Sequence, residues 1–136
     1  MKKRYDFLLP IATESTDSPD YSVAVVRGDS GITSLSDLKG KRSCHSGFGH
    51  TSSWMVPVGA LIKDELIDPE NCNRAQEVAK YFSGSCVPGA ADARINSNGS
   101  GVENLCSQCI GDTNGNHVCE LSPAERFSGE EGAFRY

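Results

Sequence analysis

Ser43-Cys44-His45-Ser46-Gly47-Phe48-Gly49-His50-Thr51-Ser52-Ser53-Trp54-Met55-Val56-Pro57-Val58-Gly59 is the most informative run in the chain. Residues 41–45 carry the short apolar and polar mixture of a brief strand. The Gly47-Phe48-Gly49 spacing then predicts a turn, and residues 51–65 predict a helix with Trp54, Val58, Leu61 and Ile62 on one side. Pro57 lies past the first turn of that helix and lacks the N–H that one backbone hydrogen bond needs there. A strand, a Gly-rich turn and a helix start leave free backbone N–H groups at the positive end of a helix dipole, which is an anion site. The plainer reading is that the glycines only make a tight turn.

Outward from this run the pattern continues. Residues 8–12 and 21–27 read as strands, the second through Val23-Ala24-Val25-Val26, with a polar loop between them. Residues 34–39 predict a short helix closed by Gly40. Ala75, Val78, Ala79 and Phe82 recur at helical spacing over residues 73–82, with Asn71 or Asn73 as the cap. Ser122-Pro123-Ala124-Glu125 reads as a helix start, with Pro123 in its first turn. Strands alternating with helices imply an α/β domain, and 136 residues suffice for one domain.

Residues 83–120 are rich in Gly, Ser, Asn and Cys and bury too little apolar surface to order themselves, so cross-links are the expected substitute. Six cysteines in such a chain fit disulfides formed in an oxidising compartment. A zinc site on Cys106-x-x-Cys109 is the competing reading, but it has no second close pair. Asn98-Gly99-Ser100 is a glycosylation sequon in the same loop, in keeping with secretion. The net charge of −5 argues against a nucleic-acid partner. No apolar run approaches the roughly 20 residues of a membrane span. Met1-Lys2-Lys3-Arg4 before Phe7-Leu8-Leu9-Pro10 has the outline of a signal peptide, but the apolar stretch is short and charge-flanked, and it reads better as a first strand.

Three further motifs have ordinary explanations. Gly28-Asp29-Ser30-Gly31 is similar to a protease nucleophile segment without the histidine and aspartate contexts it would need. Arg27-Gly28-Asp29-Ser30 spells a cell-adhesion tetrapeptide and is also plain turn chemistry. Asp112-x-Asn114-x-Asn116 is laid out like a calcium loop, but His117 stands where Gly is required.

Taken together, the motifs resemble the transferrin family. The opening run is similar to that family's K-S-C-H-T-G segment with its following W-x-[IV]-P-[IV]-G. Tyr21 to Val26, Asp37-Leu38-Lys39-Gly40-Lys41, Tyr81-Phe82-Ser83-Gly84-Ser85-Cys86-Val87-Pro88 and Gly132-Ala133-Phe134-Arg135 match further family segments in order. Val87-Pro88-Gly89-Ala90 and Ser122-Pro123-x-Glu125-Arg126 look most like the melanotransferrin-like branch.

The resemblance implies a half-lobe of the type II periplasmic-binding-protein kind, with a mixed sheet flanked by helices. Residues 1–136 would form a single subdomain, an incomplete lobe whose partner is the remainder of that lobe. A transferrin lobe closes on ferric iron through an Asp, two Tyr, a His and a carbonate held on a helix start by an Arg and a Thr. This chain corresponds to the subdomain that supplies both Tyr ligands and the carbonate clamp. The first Tyr position falls at Asp20, with Tyr21 expected on the opposite face of the strand, and the second falls at Glu130. The clamping Arg becomes His50, which lacks the guanidinium fork. The Thr becomes Ser46, and the helix start is at Ser52 and Ser53. Facing each other, Asp20 and Glu130 would hold a divalent ion weakly.

The family pattern also pairs Cys86 with Cys109 and Cys106 with Cys119. It leaves Cys44 without its usual partner, whose position is Tyr136. The expectation is a secreted, non-enzymatic protein with a degraded ferric and carbonate site and a binding or matrix role, and no cofactor. The alternative is an iron-binding transferrin whose site is completed by other segments. These residues identify no receptor.

Overall fold

A computed structural model describes residues 21–97 and 99–136. The expected strand over residues 8–12 lies outside them. A 3-10 turn spans Leu35–Leu38, and Gly40 follows it at a φ of 72°. The positive φ at Gly40 turns the chain into strand β1, Arg42–Cys44, at little steric cost. A π-type turn over Thr51–Met55 leads into helix α1, Val56–Lys63. Helix α2 covers Arg74–Tyr81 and strand β2 covers Gly84–Cys86. A second 3-10 turn, Glu103–Cys106, and helix α3, Gly129–Phe134, complete the elements.

Strands β1 and β2 pair in parallel with Cys44 opposite Cys86, so α1 and α2 form the crossover between them. Among the described residues the sheet has two parallel strands rather than the mixed sheet expected. The difference has a local cause at residues 21–27. That run is extended but finds no ladder partner among the described residues, and Val23 and Val25 are 74% and 68% exposed. β-branched residues favour an extended backbone, but a strand also needs a neighbour to bond.

Pro57 explains the break between the π-type turn and α1. The amides of Trp54 and Met55 both donate to the His50 carbonyl at 2.9 Å. The next amide that would reach back toward Ser52 or Ser53 belongs to Pro57 and does not exist. Side chains donate to both carbonyls. The Ser22 hydroxyl donates to Ser52 O, and His45 Nδ1 donates to Ser53 O at 2.6 Å. A carbonyl can only accept, so His45 carries its proton on Nδ1, and Nε2 accepts from the Ser43 hydroxyl at 3.1 Å.

In α2, Asn73 is the cap, its side chain accepting the Gln76 amide at 3.2 Å. Ala75, Val78, Ala79 and Tyr81 are the buried face, packed with Trp54 and Leu61. Gly84 suits close packing, since a Cβ there would lie 2.8 Å from Ser107 Oγ and the Ser107 side chain would have to move.

The cystine-rich loop is ordered by cross-links and by one carboxylate. Cys86 bonds Cys109 and Cys106 bonds Cys119, the pairs expected from the family pattern. Val87, Val102 and Leu105 are fully buried beneath the loop. The helix expected at Ser122 does not form. Its residues make turns because the Glu125 side chain points inward, where it is 1% exposed. Its oxygens accept the amides of Gly111 at 2.8 Å, Cys119 at 2.9 Å and Phe127 at 3.1 Å. Those bonds hold Glu125 against the loop and outweigh the helix-start preference of Ser122-Pro123.

Candidate functional site

The turn after β1 brings the candidate residues together. Ser46 is buried, and its hydroxyl lies 3.0 Å from His50 Nδ1 and 2.5 Å from the Ser53 hydroxyl. Its carbonyl accepts the Gly129 amide at 2.8 Å, which ties the start of α3 to this turn. That tie places Glu130 over the helix start, where the Ser52 hydroxyl donates to its Oε1 at 3.4 Å. Gly47 is needed for the closeness of the arrangement. A Cβ there would meet His50 Cε1 at 2.8 Å and Leu121 Cδ1 at 2.6 Å, so the imidazole lies folded over the glycine.

A cavity of about 820 Å³ opens beside this turn, lined by Tyr21, Ser22, His50, Thr51, Ser52 and Glu130 among others. The first amides of the Thr51 turn have no intrahelical acceptor, and His50 makes no side-chain cap to them. Of the residues expected here, Ser46, His50 and Ser53 form one hydrogen-bonded chain, and Ser52 and Glu130 form a second contact. Asp20 lies outside the described residues, as does Asn98. Tyr21 lines the cavity, in a run that joins no ladder among the described residues.

A hard trivalent cation wants several anionic oxygens, and among the described residues the cavity offers the Glu130 carboxylate and the Tyr21 phenol. Among the described residues no guanidinium lines it, and the His50 nitrogen nearest Ser46 is already engaged. Next to the site, His45 is buried and its pKa is depressed by desolvation, with the Ser53 carbonyl opposing that shift.

The other candidate metal groups are structural. Cys106 and Cys109 are both in disulfides, which removes the zinc reading. Cys86, Cys109 and Glu125 offer atoms within 4.8 Å of one another, but the two sulfurs share a bond and the carboxylate is occupied by amides. Asp112 accepts the amides of Asn114 at 2.8 Å and Asn116 at 2.9 Å, as a turn residue does. Sequence reasoning missed Glu125 altogether, since its tetrapeptide carries a helix-start signature and nothing in it marks a buried carboxylate.

The comparisons with known proteins agree on one family. The Transferrin family model matches residues 7–136. Human (Homo sapiens) melanotransferrin is 42% identical over 125 residues, covering 91% of this chain and 16% of that protein. Melanotransferrin of Oryctolagus cuniculus is 44% identical over 115 residues, covering 85% of this chain and 15% of its own length. Otolith matrix protein 1 of Danio rerio is 40% identical over 116 residues, covering 85% of this chain and 31% of its own length. The chain therefore spans less than a third of each of these relatives.

Proposed function

This chain belongs to the transferrin family, and on that premise we propose that it is a secreted, non-enzymatic binding or matrix protein whose ferric–carbonate site is degraded. It forms a single subdomain of the type II periplasmic-binding-protein kind, and the remainder of a transferrin lobe is its natural partner. The observation that carries this reading is Glu130 bonded to Ser52 at the helix start. An anionic side chain lies at the helix start, at a position where the resemblance implies a Tyr ligand. Two cystines support an extracellular setting. A matrix role is in keeping with the relative named for the otolith matrix.

Tyr21 favours a second reading, in which the chain still contributes a phenolate to iron completed by other segments. The two readings separate in one experiment. The purified chain is mixed with a ferric chelate and bicarbonate and its visible spectrum recorded. The degraded site gives no tyrosinate charge-transfer band. A red, bicarbonate-dependent band that disappears in Tyr21→Phe establishes the second reading instead. In the degraded case, Asp20→Tyr, Glu130→Tyr and His50→Arg together should recover ferric affinity only with the complementary subdomain supplied.

A further inference from the structure

Residues 27–32 form an exposed turn at the end of the extended segment. The Ser30 amide donates to Arg27 O at 3.0 Å, the Ser30 hydroxyl accepts the Ile32 amide at 3.3 Å, and Gly31 adopts a φ of 71°. The Arg27 and Asp29 side chains are 84% and 71% exposed. They pair with each other, Nε to Oδ1 at 3.0 Å and Nη2 to Oδ2 at 2.8 Å, and with no other described side chain. Between them Gly28 presents bare backbone, with nothing within 4 Å of where a Cβ would be.

This aspartate differs from three other described turn aspartates. Asp37 accepts the amides of Thr33 and Ser34, Asp92 that of Arg94, and Asp112 those of Asn114 and Asn116. Their carboxylates fasten the turns they sit in. Asp29 fastens no amide of a neighbouring residue, and Arg27 holds its carboxyl below the usual range, so it stays ionised. An exposed ion pair of this kind is weak and opens readily when a better partner approaches. The turn thus holds a guanidinium and a carboxylate, one glycine apart, in a shape that needs neither of them.

We propose that the Arg27-Gly28-Asp29 turn is a docking epitope for a cell-surface receptor that offers a carboxylate to the guanidinium and a bound divalent cation to Asp29. A planar guanidinium forms two parallel bonds to a carboxylate, and a hard divalent cation takes a carboxylate oxygen as a ligand. Gly28 lets the receptor backbone approach between the two charges. The chain would then act as an attachment point for cells on an extracellular deposit, a role independent of any metal in the cavity.

The test is adhesion of suspended fibroblasts to surfaces coated with the full chain in millimolar magnesium, with albumin as the blank. Adhesion should exceed the blank, fall at least tenfold on chelation with EDTA, and fall at least tenfold in Asp29→Glu, which keeps the charge but moves the carboxylate by one methylene. A soluble Gly-Arg-Gly-Asp-Ser peptide should compete, and its Glu counterpart should not. Circular dichroism and the unfolding midpoint of Asp29→Glu should match the parent, since no amide outside the turn depends on the side chain. Adhesion no greater than the blank, adhesion insensitive to EDTA, or equal adhesion to Asp29→Glu would each overturn the proposal.

Discussion

Glu125 Oε2 accepts the amide of Cys119 at 2.9 Å and that of Gly111 at 2.8 Å, so one buried carboxylate joins the two ends of the 111–119 loop. The Cys106–Cys119 bond fixes the same loop from its other side. Without the carboxylate, the amides would be buried with no acceptor.

Glu125→Ala should therefore lose about 3–5 kcal/mol of stability in urea unfolding, the range for removing one partner of a buried charged network. Glu125→Gln turns a donor group toward amide donors, and its cost should approach that of Ala. A loss under about 1 kcal/mol for both variants would mean that water replaces the carboxylate.

Gly111 gives a sharper test of the same loop. Its φ is 69°, and an added Cβ would lie 2.1 Å from the backbone oxygen of Asn116. A backbone atom cannot swing aside as a side chain does, so strain and clash add. Gly111→Ala should cost about 2–4 kcal/mol. Gly115 has a similar φ of 76° and open space around it, so Gly115→Ala should cost only about 1 kcal/mol, from the backbone conformation alone.

The fold should weaken in mild acid through His45. Its folded pKa lies below the ordinary 6.5 because burial penalises the imidazolium. The unfolded chain then binds the proton more readily, and stability rises with pH in that window. Stability is fully present above the unfolded value of about 6.5 and declines as pH falls from there toward the folded value. Unfolding midpoints measured from pH 7.5 to 5 should fall along this course. In His45→Phe the slope between pH 6.5 and 5 should flatten, even though losing the bonds to Ser53 and Ser43 lowers the whole curve.

Local chemistry made much of this fold readable in advance. The periodicity of Ala75, Val78 and Ala79 marked α2 within a residue at each end, and Asn73 was one of the two caps it allowed. Pro57 forecast the disturbance at the start of α1, although not that His45 and Ser22 would take the freed carbonyls. The cystine pairs were readable from family pattern alone, since their spacing allows other connectivities. What failed depended on distant partners. Residues 21–27 have strand propensity but no strand beside them among the described residues, and Ser122-Pro123 has a helix-start signature overridden by a carboxylate bonded 14 residues away at Gly111. At the cavity, Ser46, His50, Ser52, Ser53 and Glu130 fall around one turn, and Tyr21 lines the same cavity.

Cys44 sits opposite Cys86 in the two-stranded sheet, which sets an unpaired thiol beside one half of a disulfide. Such neighbours normally shuffle, because a thiolate attacks the adjoining sulfur and passes the bond along the chain. Burial, reinforced by the negative charge of Glu125, pushes the Cys44 thiol up to about 12. At pH 7 only roughly one molecule in 100,000 then carries the reactive anion. The cross-linked loop is thereby protected by kinetics as well as by equilibrium. A preparation should keep its native connectivity for long periods in neutral, aerated buffer and scramble on storage in strong alkali.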